Sequence, residues 1–183
     1  MIATVLPAVR GSFFIVGFCF DTVPPDATRL AAAAGATGDP PRVPKLGRVE
    51  IRAARPDRLA ELITETNEWG VPSDAWSRQD ADRAAARSRA LLRTMAAVVA
   101  ELDPAYAAVE VEELVPTPAA LRDGALLPGD VYVSHRLAAA AGRPPGTLTT
   151  WPHGLLRQGW LAGREDRPRD WAAYSRAVGA ALT

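Results

Sequence analysis

Two histidines, one cysteine and a short acidic run are the residues in this chain whose types and spacing offer chemistry. The acidic run is Val109-Glu110-Val111-Glu112-Glu113. In a strand, successive side chains point to opposite faces, so Glu110 and Glu112 share one face about 7 Å apart while Val109 and Val111 take the other. That spacing suits a pair of acid and base groups. Glycosidase-type hydrolysis, however, also demands a sugar cleft and a raised pKa, which spacing alone does not supply. Two plainer readings stand beside it. One is a solvated strand face crossed by arginines such as Arg48 and Arg52 on a neighbouring strand. The other is an acidic surface for a basic partner.

His153 lies in Trp151-Pro152-His153-Gly154, a turn that can place an imidazole at a pocket mouth, and His135 follows a strand ending at Ser134. A Ser-His-Asp enzyme would draw its base from these two, but no GxSxG elbow accompanies them. In the bland reading they are a turn histidine and a helix-start histidine. A metal centre would need both, plus carboxylates from distant segments, because neither HxH nor HxxxH spacing occurs. No metal or other cofactor is expected. Cys19, within Phe18-Cys19-Phe20, reads as a buried, unreactive thiol. No GxxxxGK[ST] or GxGxxG sequence occurs, so nucleotide hydrolysis and dinucleotide binding lack their usual support.

Five tryptophans remain: Trp69, Trp76, Trp151, Trp160 and Trp171. Trp171 falls in a helical stretch with Tyr174 and Val178 and belongs to a core. The other four lie in or beside connections, where they can be lids over sheet ends, interface anchors or walls of a small-molecule pocket.

The elements that must position these residues begin with the segment Arg78–Leu102. At 100° per residue, Ala81, Ala84, Ala85, Ser88, Leu91, Leu92, Met95, Val98, Val99 and Leu102 fall on one side, with Asp82, Arg83, Arg87, Arg89, Arg93 and Glu101 opposite. Asp80 and Asp82 suit the first turns, and Pro104 stops the pattern after Asp103. At 1.5 Å per residue this helix spans roughly 37 Å, the width of a small domain. Ile2–Val9 and Ser12–Phe20 read as two strands or as one strand interrupted at Gly11, and further strands are expected over Gly47–Ala53, Tyr106–Val115, Asp130–Ser134 and Thr147–Trp151, with Leu155–Leu161 as a candidate for another. Shorter helices are expected from Pro24-Pro25-Asp26, with proline in the first turn, as far as Gly35, from Pro56 through Leu59, Leu62 and Ile63, from Thr117-Pro118, a cap followed by proline at the first helical position, as far as Gly124, and from the strand end at Ser134 to Gly142. A closing helix follows at Arg169–Leu182. Strands and helices interleave without βαβ regularity. The expectation is one α+β domain, residues 1–183, with a mixed or antiparallel sheet against a long central helix and a C-terminal helix. A doubly wound sheet is the alternative.

Composition fits one well-buried core: 183 residues, 48% hydrophobic, 23% charged, zero formal net charge. A neutral chain has no general attraction to nucleic acid or to an anionic membrane, so neither is expected as a partner. Only Lys45 of the 21 basic residues is lysine, a bias that fits a GC-rich coding sequence and makes arginine number a poor guide to function. A single cysteine excludes an internal disulfide framework, and the Ser12–Phe20 apolar run is too short to cross a bilayer. A cytoplasmic protein is expected.

From Leu91 to Leu182 the order of features resembles a family of bacterial polymorphic-toxin immunity proteins. The matching features are Leu102-Asp103-Pro104-Ala105-Tyr106 at a helix end, the strand through Val109 and Val111, Val131-Tyr132-Val133 with its short helix, Gly146-Thr147-Leu148-Thr149-Thr150, and the final helix. The resemblance implies a small cytosolic α+β protein that binds and blocks a toxin, and it carries no functional residue over. Protein binding is therefore the leading expectation, with Glu110, Glu112, Trp69 and Trp76 as interface residues. The alternatives are an enzyme using His153 with Glu110 or Asp130 in a tryptophan-lined pocket, and an accessory subunit of a larger assembly.

Overall fold

A computed structural model describes residues 13–54, 57–64, 78–111, 113–159 and 168–182, with backbone alone for residues 54 and 78–85. Eight strands form one sheet in the order β2-β3-β4-β1-β5-β6-β8-β7, and every described pairing is antiparallel. The strands are β1 (Phe14–Cys19), β2 (Arg42–Val43), β3 (Gly47–Ala54), β4 (Leu59–Thr64), β5 (Tyr106–Val111), β6 (Asp130–Ser134), β7 (Leu148–Trp151) and β8 (Gly154–Arg157). Among the described residues five helices accompany them: α1 (Ala27–Ala33), α2 (Arg78–Leu102), α3 (Pro118–Arg122), α4 (His135–Ala141) and α5 (Trp171–Ala181). This is the expected α+β class, and the sheet is the antiparallel alternative.

The central strands of the sheet are buried on both faces. On one face, Phe14, Val16 and Phe18 of β1, with Leu62, Val109, Tyr132 and Leu156, pack under Leu91, Met95, Val98 and Val99 of α2 and Leu30 of α1. On the other, Ile15, Tyr106, Val131 and Val133 pack under Leu121 of α3, Leu137 of α4 and Trp171, Tyr174 and Val178 of α5. The long helix thus lies along one face of a three-layer arrangement. From Ser88 onward the period selects the buried Ser88, Leu91, Met95, Val98 and Val99 and the partly buried Leu92 and Leu102, while Ala90 and Thr94, outside the selected set, are buried as well. β1, at the centre of the layers, is buried at all six positions.

Side-chain caps set several boundaries. Asp26 Oδ1 accepts the Arg29 N–H at 2.9 Å and starts α1, so Pro24 and Pro25 precede the cap and do not form the first turn. Thr117 Oγ1 accepts the Ala120 N–H with Pro118 at the first helical position, and Ser134 Oγ accepts the Leu137 N–H. α2 ends where Asp103 turns left-handed (φ 45°) ahead of Pro104.

Two expectations need correction. Leu59–Thr64 is β4, not a helix, and its six residues are buried between β3 and β1. Leu59, Leu62 and Ile63 satisfy a helical spacing by coincidence. In the strand, Leu59 and Ile63 face one layer and Leu62 the other. β5 ends at Val111, short of Val115, which leaves the strand and packs against Gly17. A Cβ on Gly17 would lie 2.6 Å from that of Val115, so only glycine allows this contact. The expected Ile2–Val9 strand, and Trp69 and Trp76 with the connection expected to carry them, lie outside the described residues.

Candidate functional site

Because every pairing is antiparallel, one end of the sheet collects the end of β1, the starts of β4 and β5, the end of β6 and the β7–β8 turn. A cleft of ≈ 480 Å³ opens there. Residues Phe20–Asp26 form one wall, Leu102 and Asp103 at the end of α2 another, and Arg29 and Arg136 add guanidinium groups.

Arg136 ties three segments together. Its Nε donates to Asp21 Oδ2 at 2.5 Å, its Nη1 to Asp103 Oδ2 at 2.6 Å and its Nη2 to the Asp103 carbonyl at 2.6 Å. Burial works against the charge of Arg136, but the hydrogen bonds to Asp103 and Asp21 outweigh it and raise its pKa. These side chains stay 40 to 51% exposed, and exposed pairs stabilise a fold by only about 0–1 kcal/mol. Their main effect is to orient charge. Beside them Val23 is 66% exposed, an apolar side chain on a charged rim.

Neither the sequence positions nor any motif singles out Asp21, Asp103 and Arg136, because topology alone unites residues that are 115 and 33 positions apart. The local signals are charges at element ends beside Pro24-Pro25 and Pro104.

The residues expected to act together are separated. His153 sits exposed in the β7–β8 turn with a left-handed backbone (φ 64°), and its carbonyl accepts the His135 N–H at 2.7 Å. The chain's two histidines are thus backbone neighbours at the cleft end of the sheet. Asp130 begins β6 at the opposite end, four residues from Ser134, roughly 13 Å along the strand. It is buried, and its Oδ1 accepts the Gly159 N–H. Glu110 lies just beyond the Val109–Asp130 pair, at that far end too. The His153 partnership with Asp130 or Glu110 is therefore not assembled. Among the described residues no group of three or more histidine, cysteine or acidic side chains is placed to hold a metal.

Glu110 is half-buried, on the face of Ile15, its partner in β1. Arg48 and Arg52 are on β3, not on a neighbouring strand, because β4 and β1 intervene. Arg52 pairs with Glu50 at 2.7 Å and stands opposite the buried Glu61, whose pKa is raised by burial against the opposing pull of Arg52. Glu61 went unnoticed in the sequence because it lay in a segment expected to be helical. Glu112, Trp69, Trp76 and Trp160 lie outside the described residues.

Trp171 is core: its Nε1 donates to the Leu127 carbonyl at 2.7 Å, and the Arg157 guanidinium lies 4.7 Å from its ring. Trp151 leans on Tyr132 with ring centroids 6.0 Å apart. Cys19 is buried, and burial pushes its thiol up to about 12, which leaves it protonated and inert at neutral pH. No helix among the described residues is long and apolar enough to cross a membrane. The chain matches no family model, no curated protein and no solved structure.

Proposed function

We propose that this is a partner-binding protein of the immunity type, which blocks a cognate toxin by covering its working site, and that the charged cleft is the contact surface. The supporting observation is how the cleft is built: Arg136 holds Asp21 and Asp103 in fixed positions beside the exposed Val23. Binding energy concentrates where an apolar anchor is ringed by ordered polar groups. Charges already held in place lose little freedom on docking. Pro24 and Pro25 restrict the backbone that carries the anchor. Glu110, Glu112, Trp69 and Trp76 are the alternative contact residues, and Glu110, the one among the described residues, lies at the opposite end of the sheet.

The test is capture from the native cell, followed by inhibition of the captured protein's toxic activity by purified wild type, Val23→Asp and Arg136→Ala. Stoichiometric inhibition by wild type, weakened on the order of ten-fold or more by either variant (1.4 kcal/mol per ten-fold), is the expected result. Full inhibition by both variants removes the cleft as the contact surface. If alanine at Glu110, Glu112, Trp69 and Trp76 then abolishes inhibition, contact lies at those residues instead. A stable multi-subunit complex without toxicity would instead favour the accessory-subunit alternative.

A further inference from the structure

A second cleft, of ≈ 300 Å³, opens at the same end of the sheet, between the β3–β4 turn, the start of α3 and the end of α5. Two guanidinium groups line it, those of Arg58 and Arg122. Each is oriented by main-chain carbonyls. Arg58 Nη1 donates to Asp21 O at 3.0 Å and Leu182 O at 3.1 Å, and Arg122 Nη1 donates to Gly179 O at 3.1 Å. The last bond depends on close packing of α3 on α5, where a Cβ on Gly179 would lie 2.8 Å from Arg122 N.

Neither arginine has a carboxylate partner among the described residues, although Asp57 borders the cleft. Arg52 and Arg136, by contrast, are ion-paired. Two like charges fixed around one small space repel each other, and an anion between them relieves the repulsion. Guanidinium forks match the paired oxygens of phosphate and carboxylate. Thr117 adds a third donor, because its Oγ1 accepts the Ala120 N–H at 3.1 Å and its own proton stays free to donate. Arg58 also has a left-handed backbone (φ 56°), and strain of this kind collects at binding sites.

We propose that this cleft binds a small oxyanion, of phosphate or carboxylate chemistry, between Arg58 and Arg122 with Thr117 Oγ1 as a further donor. The site shares only the Asp21 carbonyl with the Arg136 cluster, and its donors include neither Val23 nor Arg136, so it stands apart from the partner-binding reading.

The experiment titrates the whole protein with inorganic phosphate, with N-acetylglutamate and with chloride at matched ionic strength, followed by calorimetry and thermal denaturation. Saturable binding of phosphate or N-acetylglutamate, absent for chloride, is expected. Arg122→Gln should weaken it about ten-fold or more, with Arg122→Lys intermediate because it keeps the charge but loses the fork. Preference for phosphate identifies a phosphate site, and preference for N-acetylglutamate a carboxylate site. Arg58→Gln should act like Arg122→Gln. If it fails to fold, the Arg122 variants decide alone, since that side chain is exposed. Responses to both anions equal to that of chloride, or unchanged affinity in Arg122→Gln, would overturn the proposal.

Discussion

The chain's three tyrosines, Tyr106, Tyr132 and Tyr174, are all buried, and the hydroxyls of Tyr132 and Tyr174 have no hydrogen-bond partner among the described residues. Burial pushes Tyr132 up to about 12, raises Tyr106 and Tyr174 well above the ordinary value of 10.0, and carries Cys19 from 9.0 to about 12. In each case the folded state prefers the protonated form. The associated stability is fully present below the unfolded-chain values and is lost as pH rises through the folded ones. The protein should therefore hold its fold to about pH 9 and unfold cooperatively between about pH 10 and 12, with tyrosinate absorbance appearing only as near-ultraviolet ellipticity collapses. A smooth tyrosinate titration near pH 10, with ellipticity intact, would show that these hydroxyls are open to solvent. Tyr132→Phe removes an unsatisfied buried hydroxyl and should leave stability equal or raise it by about 1 kcal/mol in urea denaturation. At this scale the sequence disclosed residues whose surroundings are local in the chain. Cys19 among phenylalanines is an inert buried thiol, and Trp171 among Tyr174 and Val178 is core. It did not disclose the Asp21–Arg136–Asp103 cluster, since no local pattern links residues brought together by a loop, a helix end and a helix start.

Elements were legible wherever period and punctuation agreed. α2 combines a long apolar stripe with a proline stop, and α3 and α4 carry their capping Thr117 and Ser134 in the sequence. β4 was misread because a six-residue apolar run satisfies both periods, and sandwiching between β3 and β1 decides the matter. The same central position makes β1 intolerant of change at Gly17. An added methyl there meets the Val115 side chain at 2.6 to 3.0 Å, so Gly17→Ala should destabilise by about 1–3 kcal/mol through overpacking. Val115→Ala alone should also destabilise, by leaving a cavity. Val115→Ala removes the two γ-methyls at 2.7 and 3.0 Å but keeps the Cβ at 2.6 Å, so the changes compensate only in part, and the double variant should still be more stable than their separate effects add up to. Strict additivity in chemical denaturation would mean that Val115 does not rest on β1 in solution.

For the whole molecule, the strand order was hidden in the sequence because β1 pairs with β4 and with β5, which lies about ninety positions further on, and no pattern of polar and apolar residues encodes a partner at that range. The order nonetheless predicts how stability is distributed. β1 and β5 have paired strands on both sides and helices over both faces, whereas β2 has two residues and β7, with Thr149 and Thr150 exposed, has a neighbour on one side only. Opening β1 requires breaking both halves of the sheet and both packed layers, so its amides should exchange only through global unfolding. Those of β2 and β7 need only local opening. Hydrogen exchange should therefore be slowest in Phe14–Cys19 and Tyr106–Val109 and much faster in Arg42–Val43 and Leu148–Trp151, with denaturant accelerating the first group far more steeply than the second. The charged cleft lies over the slow end of this gradient, because Asp21 lies two residues past β1 and Asp103 precedes β5 by three residues. A surface mounted there keeps its geometry while the sheet margins fluctuate. Equal protection of β7 and β1 would contradict that placement and the strand order that underlies it.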